Sequence, residues 1–113
     1  MPADLTPVLR KVHDAWAKLK AARRANVRAD GAKSDADGKY VQKVKEMAKA
    51  ALGGIHLAQK QRFDDQINAL MAKKGKADND AVDAAEVVKK AEQALAQANL
   101  EYHQKLLQLV FEK

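Results

Sequence analysis

Leu5, Val8, Val12, Ala15, Leu19 and Ala22 recur at alternating spacings of three and four residues. That rhythm puts them on one face of an amphipathic helix, since residues three and four apart fall on the same side of a turn. Thr6 followed by Pro7 supplies a cap and first turn, so a first helix is expected over about 6–28. The rhythm returns between Lys39 and Lys74 in Val41, Val44, Ala48, Ala51, Ile55, Ala58, Phe63, Ile67 and Leu70. It appears a third time in Ala84, Val88, Ala91, Leu95, Ala98, Tyr102, Leu106 and Leu109 or Val110, with no Gly or Pro inside the run. Strands have little to build on, because Thr6 is the chain's one threonine.

The breaks between these runs set the expected architecture. Residues 29–38, ADGAKSDADG, hold two glycines, three aspartates and no large apolar side chain, and read as a linker. Residues 75–80 read as a short turn in which Asp78 or Asp80 caps a third helix over about 79–112. Gly53 and Gly54 interrupt the second helix, about 39–74, at a cost of roughly 1.5–2 kcal/mol relative to alanines, so a bend, a close contact or a break is expected there. The sum is an all-α, single-domain chain over 1–113: an elongated antiparallel helical hairpin of helices two and three with a shorter N-terminal helix packed on it, a three-helix, coiled-coil-like bundle. At 1.5 Å per residue the two longer helices would reach about 54 Å and the first about 33 Å, leaving the hairpin tip as two helices alone.

Composition limits what such a bundle can bury. Of 113 residues 47% are hydrophobic, but 23 residues are alanine and only 24 are Leu, Ile, Val or Phe. A chain this charged with so few large apolar residues has a thin core. Two helices cover the tip only partly, so Phe63, Ile67, Leu70, Met71 and Val87 are expected to meet another surface, as are Leu107 and Phe111 in the C-terminal run that is apolar on more than one side. A second copy of the chain is the simplest source of that surface, which makes the expected function non-enzymatic assembly by binding protein chains, through self-association.

Chemistry is nearly absent. With no cysteine, disulfides, thiolate metal sites and thiol nucleophiles are excluded. Thr6 and Ser34 are the only aliphatic hydroxyls, and the carboxylates of adjacent Asp64 and Asp65 diverge by about 100° on a helix, so neither a nucleophile nor an acid–base pair is in view. His13, His56 and His103 lack a second ligand at helical metal spacing. Asp35-Ala36-Asp37-Gly38 has the look of a calcium loop, but Lys33 and Val44 stand where its first and last carboxylates belong. No enzyme activity, cofactor or metal is therefore expected. The formal charge is +6, and it is unevenly spread: residues 1–34 carry eight basic and three acidic side chains, residues 78–113 four and seven. Arg10, Lys18, Lys20, Arg24 and Arg28 form a basic ridge away from the first apolar seam, so the alternative function is nucleic-acid binding through phosphates. Base-specific recognition is disfavoured by the scarcity of aromatics, and a membrane partner is disfavoured too. The N-terminal residues have no apolar stretch of signal-peptide length, and no run of about 18 apolar residues occurs, so a cytoplasmic or intracellular location is expected.

Overall fold

The computed structural model describes residues 5–111 as two helices, α1 (Thr6–Leu52) and α2 (Leu57–Phe111). The three-helix expectation is corrected: residues 29–38 are not a linker but the middle of α1, and residues 75–80 are not a turn but part of α2. The apolar rhythm explains both. Ala29 and Ala36 carry it through the first stretch, and Ala77 and Ala81 through the second, with Ala81 buried. Ion pairs at helical spacing brace the same stretches, Lys39 Nζ to Asp35 Oδ2 at 3.1 Å and Lys74 Nζ to Asp78 Oδ2 at 3.1 Å. Thr6 is the first helical residue of α1 rather than its cap; the Leu5 carbonyl accepts the opening hydrogen bond from the Leu9 N–H at 2.9 Å.

The reversal comes instead at Gly53-Gly54. The Gly53 N–H still bonds the Lys49 carbonyl at 3.3 Å, and Gly54 takes φ +86, the left-handed conformation in which helices end on a residue without a Cβ. α2 then opens with the Lys60 N–H donating to the His56 carbonyl at 2.9 Å.

The chain forms two compact units. In the first, the part of α1 up to Asn26 lies against the part of α2 from Ala84 onward. Two ion pairs make this pairing antiparallel: Lys11 Nζ with Glu101 Oε2 at 3.2 Å and Arg23 Nη2 with Glu92 Oε1 at 4.0 Å. Both apolar seams repeat every seventh residue, so heptad letters apply. On α1, Leu5, Val12 and Leu19 take position a, and Val8, Ala15 and Ala22 take d. On α2, Val88, Leu95, Tyr102 and Leu109 take a, and Ala84, Ala91 and Ala98 take d. The ion pairs fix which stretches of the two helices face each other, and the groove beside Lys11 and Glu101 is floored by Ala15 of α1 with Ala94 and Ala98 of α2, so small side chains come from both helices there. This unit holds nearly all of the buried side chains: Val8, Ala15, Leu19, Ala22 and Ala98, with Leu19 only 1% exposed.

The second unit, Val27–Asp83, is a helical hairpin made of the rest of α1, the glycine turn and the start of α2. Its seam is poorer. Ala29, Ala36 and Ala50 at d on α1 are joined by Lys33 and Lys43 at seam positions, and Phe63, Ile67 and Leu70 on α2 are joined by Lys60 and Lys74. Ala81 is its one buried apolar side chain, while Phe63, Ile67, Leu70, Tyr40 and Met47 are half-buried.

Candidate interaction surface

An antiparallel pair of helices has two flanks beside its seam, one lined by the g positions of both helices and one by the e positions. In the first unit Lys11 and Glu101 bridge the g flank, and Arg23 and Glu92 bridge the e flank. The g flank carries fewer large apolar side chains: the grooves along it are lined by Lys11, Asp14, Lys18, Gln97 and Glu101 with alanines between, and further on by Gln104, Lys105 and Gln108 with Val8, and exposed Val87 also stands at g. The e flank, widened by the neighbouring b positions, is different. Leu9 and Trp16 stand there on α1, with Trp16 39% exposed, and Leu106 and Val110 stand there on α2. Cations border the indole: Lys20 Nζ is 5.4 Å and Arg23 Cζ 5.7 Å from the Trp16 ring centroid, each worth about 0.5–1 kcal/mol at an exposed site.

The second unit repeats the contrast. Its g flank carries open grooves lined by Lys39, Gln42, Lys43 and Glu46 with Leu70, and by Gln59, Arg62 and Gln66 with Phe63. Lys43 Nζ donates to Glu46 Oε2 at 2.9 Å, and that bond, with the lysine's charge, holds the Glu46 carboxyl below its ordinary value of 4.5. The e and b positions hold exposed Val27, Val41, Val44, Leu57, Met71 and Val82. They also hold aspartates. Lys74, at a, donates to Asp78 Oδ2 at 3.1 Å and lies 3.5 Å from Asp37 Oδ1, while buried Asp37 Oδ1 and Asp78 Oδ1 accept no hydrogen bond.

One lysine thus serves two carboxylates, and its pKa is raised above 10.5, first by the hydrogen bond to Asp78 and then by the charge of Asp37. A raised pKa means this contribution to stability is fully present below the ordinary lysine value and is lost as pH climbs through the folded one. Replacing Lys74 by Met is expected to lower the urea midpoint at neutral pH and to remove that alkaline dependence. Equilibrium unfolding at pH 8 and at pH 11 checks both, and parallel curves for wild type and Lys74→Met across the two would refute it.

The sequence-derived assembly residues fall in different places. Phe63, Ile67 and Leu70 are half-buried in the seam of the second unit, facing α1. Met71, one step round the helix at e, is 52% exposed. Leu107 and Phe111, four residues apart, share one exposed face of α2 in the first unit, and exposed Val87 stands on the opposite side of that helix, so the three do not form one patch. The basic ridge is exposed as expected: Arg10, Lys18, Lys20 and Arg24 in the first unit and Arg28 in the second. Lys20 is engaged with Trp16. Residues missed in the sequence are those of the e flank, Leu9 and Trp16 above all, which share the helical half-turn of the seam and read as core.

Among the described residues no three His, Asp or Glu side chains are close enough to hold a metal ion, and no helix is long and apolar enough to cross a membrane. No family model matches the chain, and neither the curated proteins nor the solved structures contain a match to it.

Proposed function

We propose that the chain is a non-enzymatic assembly protein that binds another protein chain along the e flanks of its helix pairs. The observation that carries this is the sorting of large apolar side chains. Leu9, Trp16, Val41, Val44, Met71 and Val82 are exposed on e and b positions, whereas the g-flank grooves are lined mainly by Lys, Glu and Gln with small or half-buried apolar residues, and Val87 is the one large apolar side chain exposed at g among the described residues. Antiparallel pairs keep such a flank apolar when further helices pack on it and water is driven off. Self-association is the simplest form of that packing.

Sedimentation velocity recorded at 260 and 280 nm, in low and in high salt, tests the proposal. The expected result is a mass above that of the 12.4 kDa monomer without excess absorbance at 260 nm. Replacing Leu9 and Trp16 together by Gln should lower that mass while circular dichroism still reports helix; an unchanged mass would defeat the proposal.

A second function is favoured by one observation: Arg10, Lys18 and Arg24 are exposed and take part in no ion pair within 4.0 Å among the described residues. As phosphate contacts they would give sequence-blind affinity that falls steeply with salt. Absorbance at 260 nm that travels with the protein in low salt and leaves it in high salt is the signature, and charge reversal at Arg24 and Arg28 should abolish it.

A further inference from the structure

The e and b positions of the two units, taken unit by unit, carry opposite charge. In the first unit the e and b positions hold Lys20, Arg23 and Lys89 against one acid, Glu92. In the second they hold Asp30, Asp37, Asp64 and Asp78 and not a single Lys or Arg. Lys60 and Lys74, at a, offset part of that charge through Asp64 at 2.7 Å and through the Asp37–Asp78 pair, and Lys33, also at a, adds a further cation without removing the contrast. Each flank presents apolar side chains between its charges, Leu9 and Trp16 in the first and Val41, Val44 and Met71 in the second.

We propose that the partner covering these flanks is a second copy of this chain, seated so that the basic flank of one copy's first unit lies on the acidic flank of the other copy's second unit. This rests on the assembly function above and names its partner and pairing. Three pairings of the two flanks exist. First unit on first unit brings Lys20, Arg23 and Lys89 against their own kind, and second on second does the same with the aspartates. Only the mixed pairing sets opposite charges across the interface. Apolar burial supplies the affinity, and charge decides which flank meets which, because like charges across an interface exclude the wrong partner more strongly than exposed pairs reward the right one.

Two full-length variants test it. One carries Lys20→Glu, Arg23→Glu and Lys89→Glu, so both of its flanks are acidic; the other carries Asp30→Lys and Asp64→Lys, which makes its second-unit flank basic like its first. Wild type should self-associate in sedimentation velocity. Each variant alone should do so at least tenfold more weakly while keeping wild-type helicity, and a one-to-one mixture should recover association to within about threefold of wild type. Recovery on mixing is a result that a folding defect does not produce. Wild type that stays monomeric up to millimolar concentration would overturn both the pairing and self-assembly. Wild type that associates, with variants that associate equally well or are not rescued by mixing, would overturn the pairing and leave assembly standing. Should either reversed variant lose helicity, Lys20→Gln with Arg23→Gln replaces it, and association unweakened by that neutral pair also overturns the pairing.

Discussion

Replacing Leu19 by Ala should destabilise the protein by about 3 kcal/mol, the middle of the range for truncating a buried leucine. Leu19 is the largest fully buried side chain, at 1% exposure, and the seam around it is built largely of alanine, which offers little bulk to fill the space left behind. Small domains hold only about 5–15 kcal/mol in all, and a thin alanine seam belongs at the low end, so this one change removes a large share of the stability. Leu52→Ala is the control, since Leu52 is 90% exposed and its truncation should stay within about 0.5 kcal/mol. Urea titrations at one fixed protein concentration compare the two, the concentration being held because association adds to apparent stability. Equal shifts for Leu19→Ala and Leu52→Ala would mean that the core does not lie where the seam places it.

The second large effect comes from one kind of substitution made at two kinds of place. Gly31 and Gly38 lie inside α1, and a methyl group at either would have nothing within 4 Å. Exchanging both for Ala should stabilise the chain by about 1.5–2 kcal/mol, because alanine restricts the unfolded chain and suits an exposed helix interior. Gly54 has equally open surroundings, but its φ of +86 is one that a Cβ opposes. There the same exchange should cost about 1–2 kcal/mol. The double variant and Gly54→Ala should therefore move the thermal midpoint in opposite directions. Movement in the same direction would show that the reversal does not depend on the left-handed residue.

Those glycines also explain which parts of the fold were legible in the sequence. The helical rhythm was plain, and all-helical architecture followed from it. The connections are misplaced because Gly31 and Gly38, set among aspartates, and Gly75, shortly before Asp78 and Asp80, look like punctuation. Each such glycine costs a helix about 1 kcal/mol, and a seam continued by Ala29, Ala36, Ala77 and Ala81 outweighs that. Two adjacent glycines are another matter, and a positive φ at Gly54 is a property of the folded backbone that composition does not display. Of the candidate surface, the exposure of Arg10, Lys18, Lys20, Arg24 and Arg28 is legible, since it needs only a helical wheel. The e flank was not. Leu9 sits next to Val8 and Trp16 next to Ala15, and the three-and-four rhythm is too coarse to separate a seam residue from its neighbour. What separates them is register, which here is written in Lys11–Glu101 and Arg23–Glu92, pairs joined across most of the chain's length.

Alanine at successive d positions has a consequence for how that register is kept. A methyl group has no rotamers and almost no shape, so within the first unit Ala15 and Ala22 are interchangeable marks on one edge, as are Ala84, Ala91 and Ala98 on the other. A helix slid along its neighbour by one heptad would find alanine opposite much the same neighbours as before. That seam is a ruler with few graduations, and the position of zero is set by the short covalent connection at Gly53-Gly54, by Leu19, which differs from the repeat, and by the Lys11–Glu101 and Arg23–Glu92 pairs. Cutting the chain at that turn would remove the covalent mark and leave the first unit's offset to Leu19 and two exposed ion pairs.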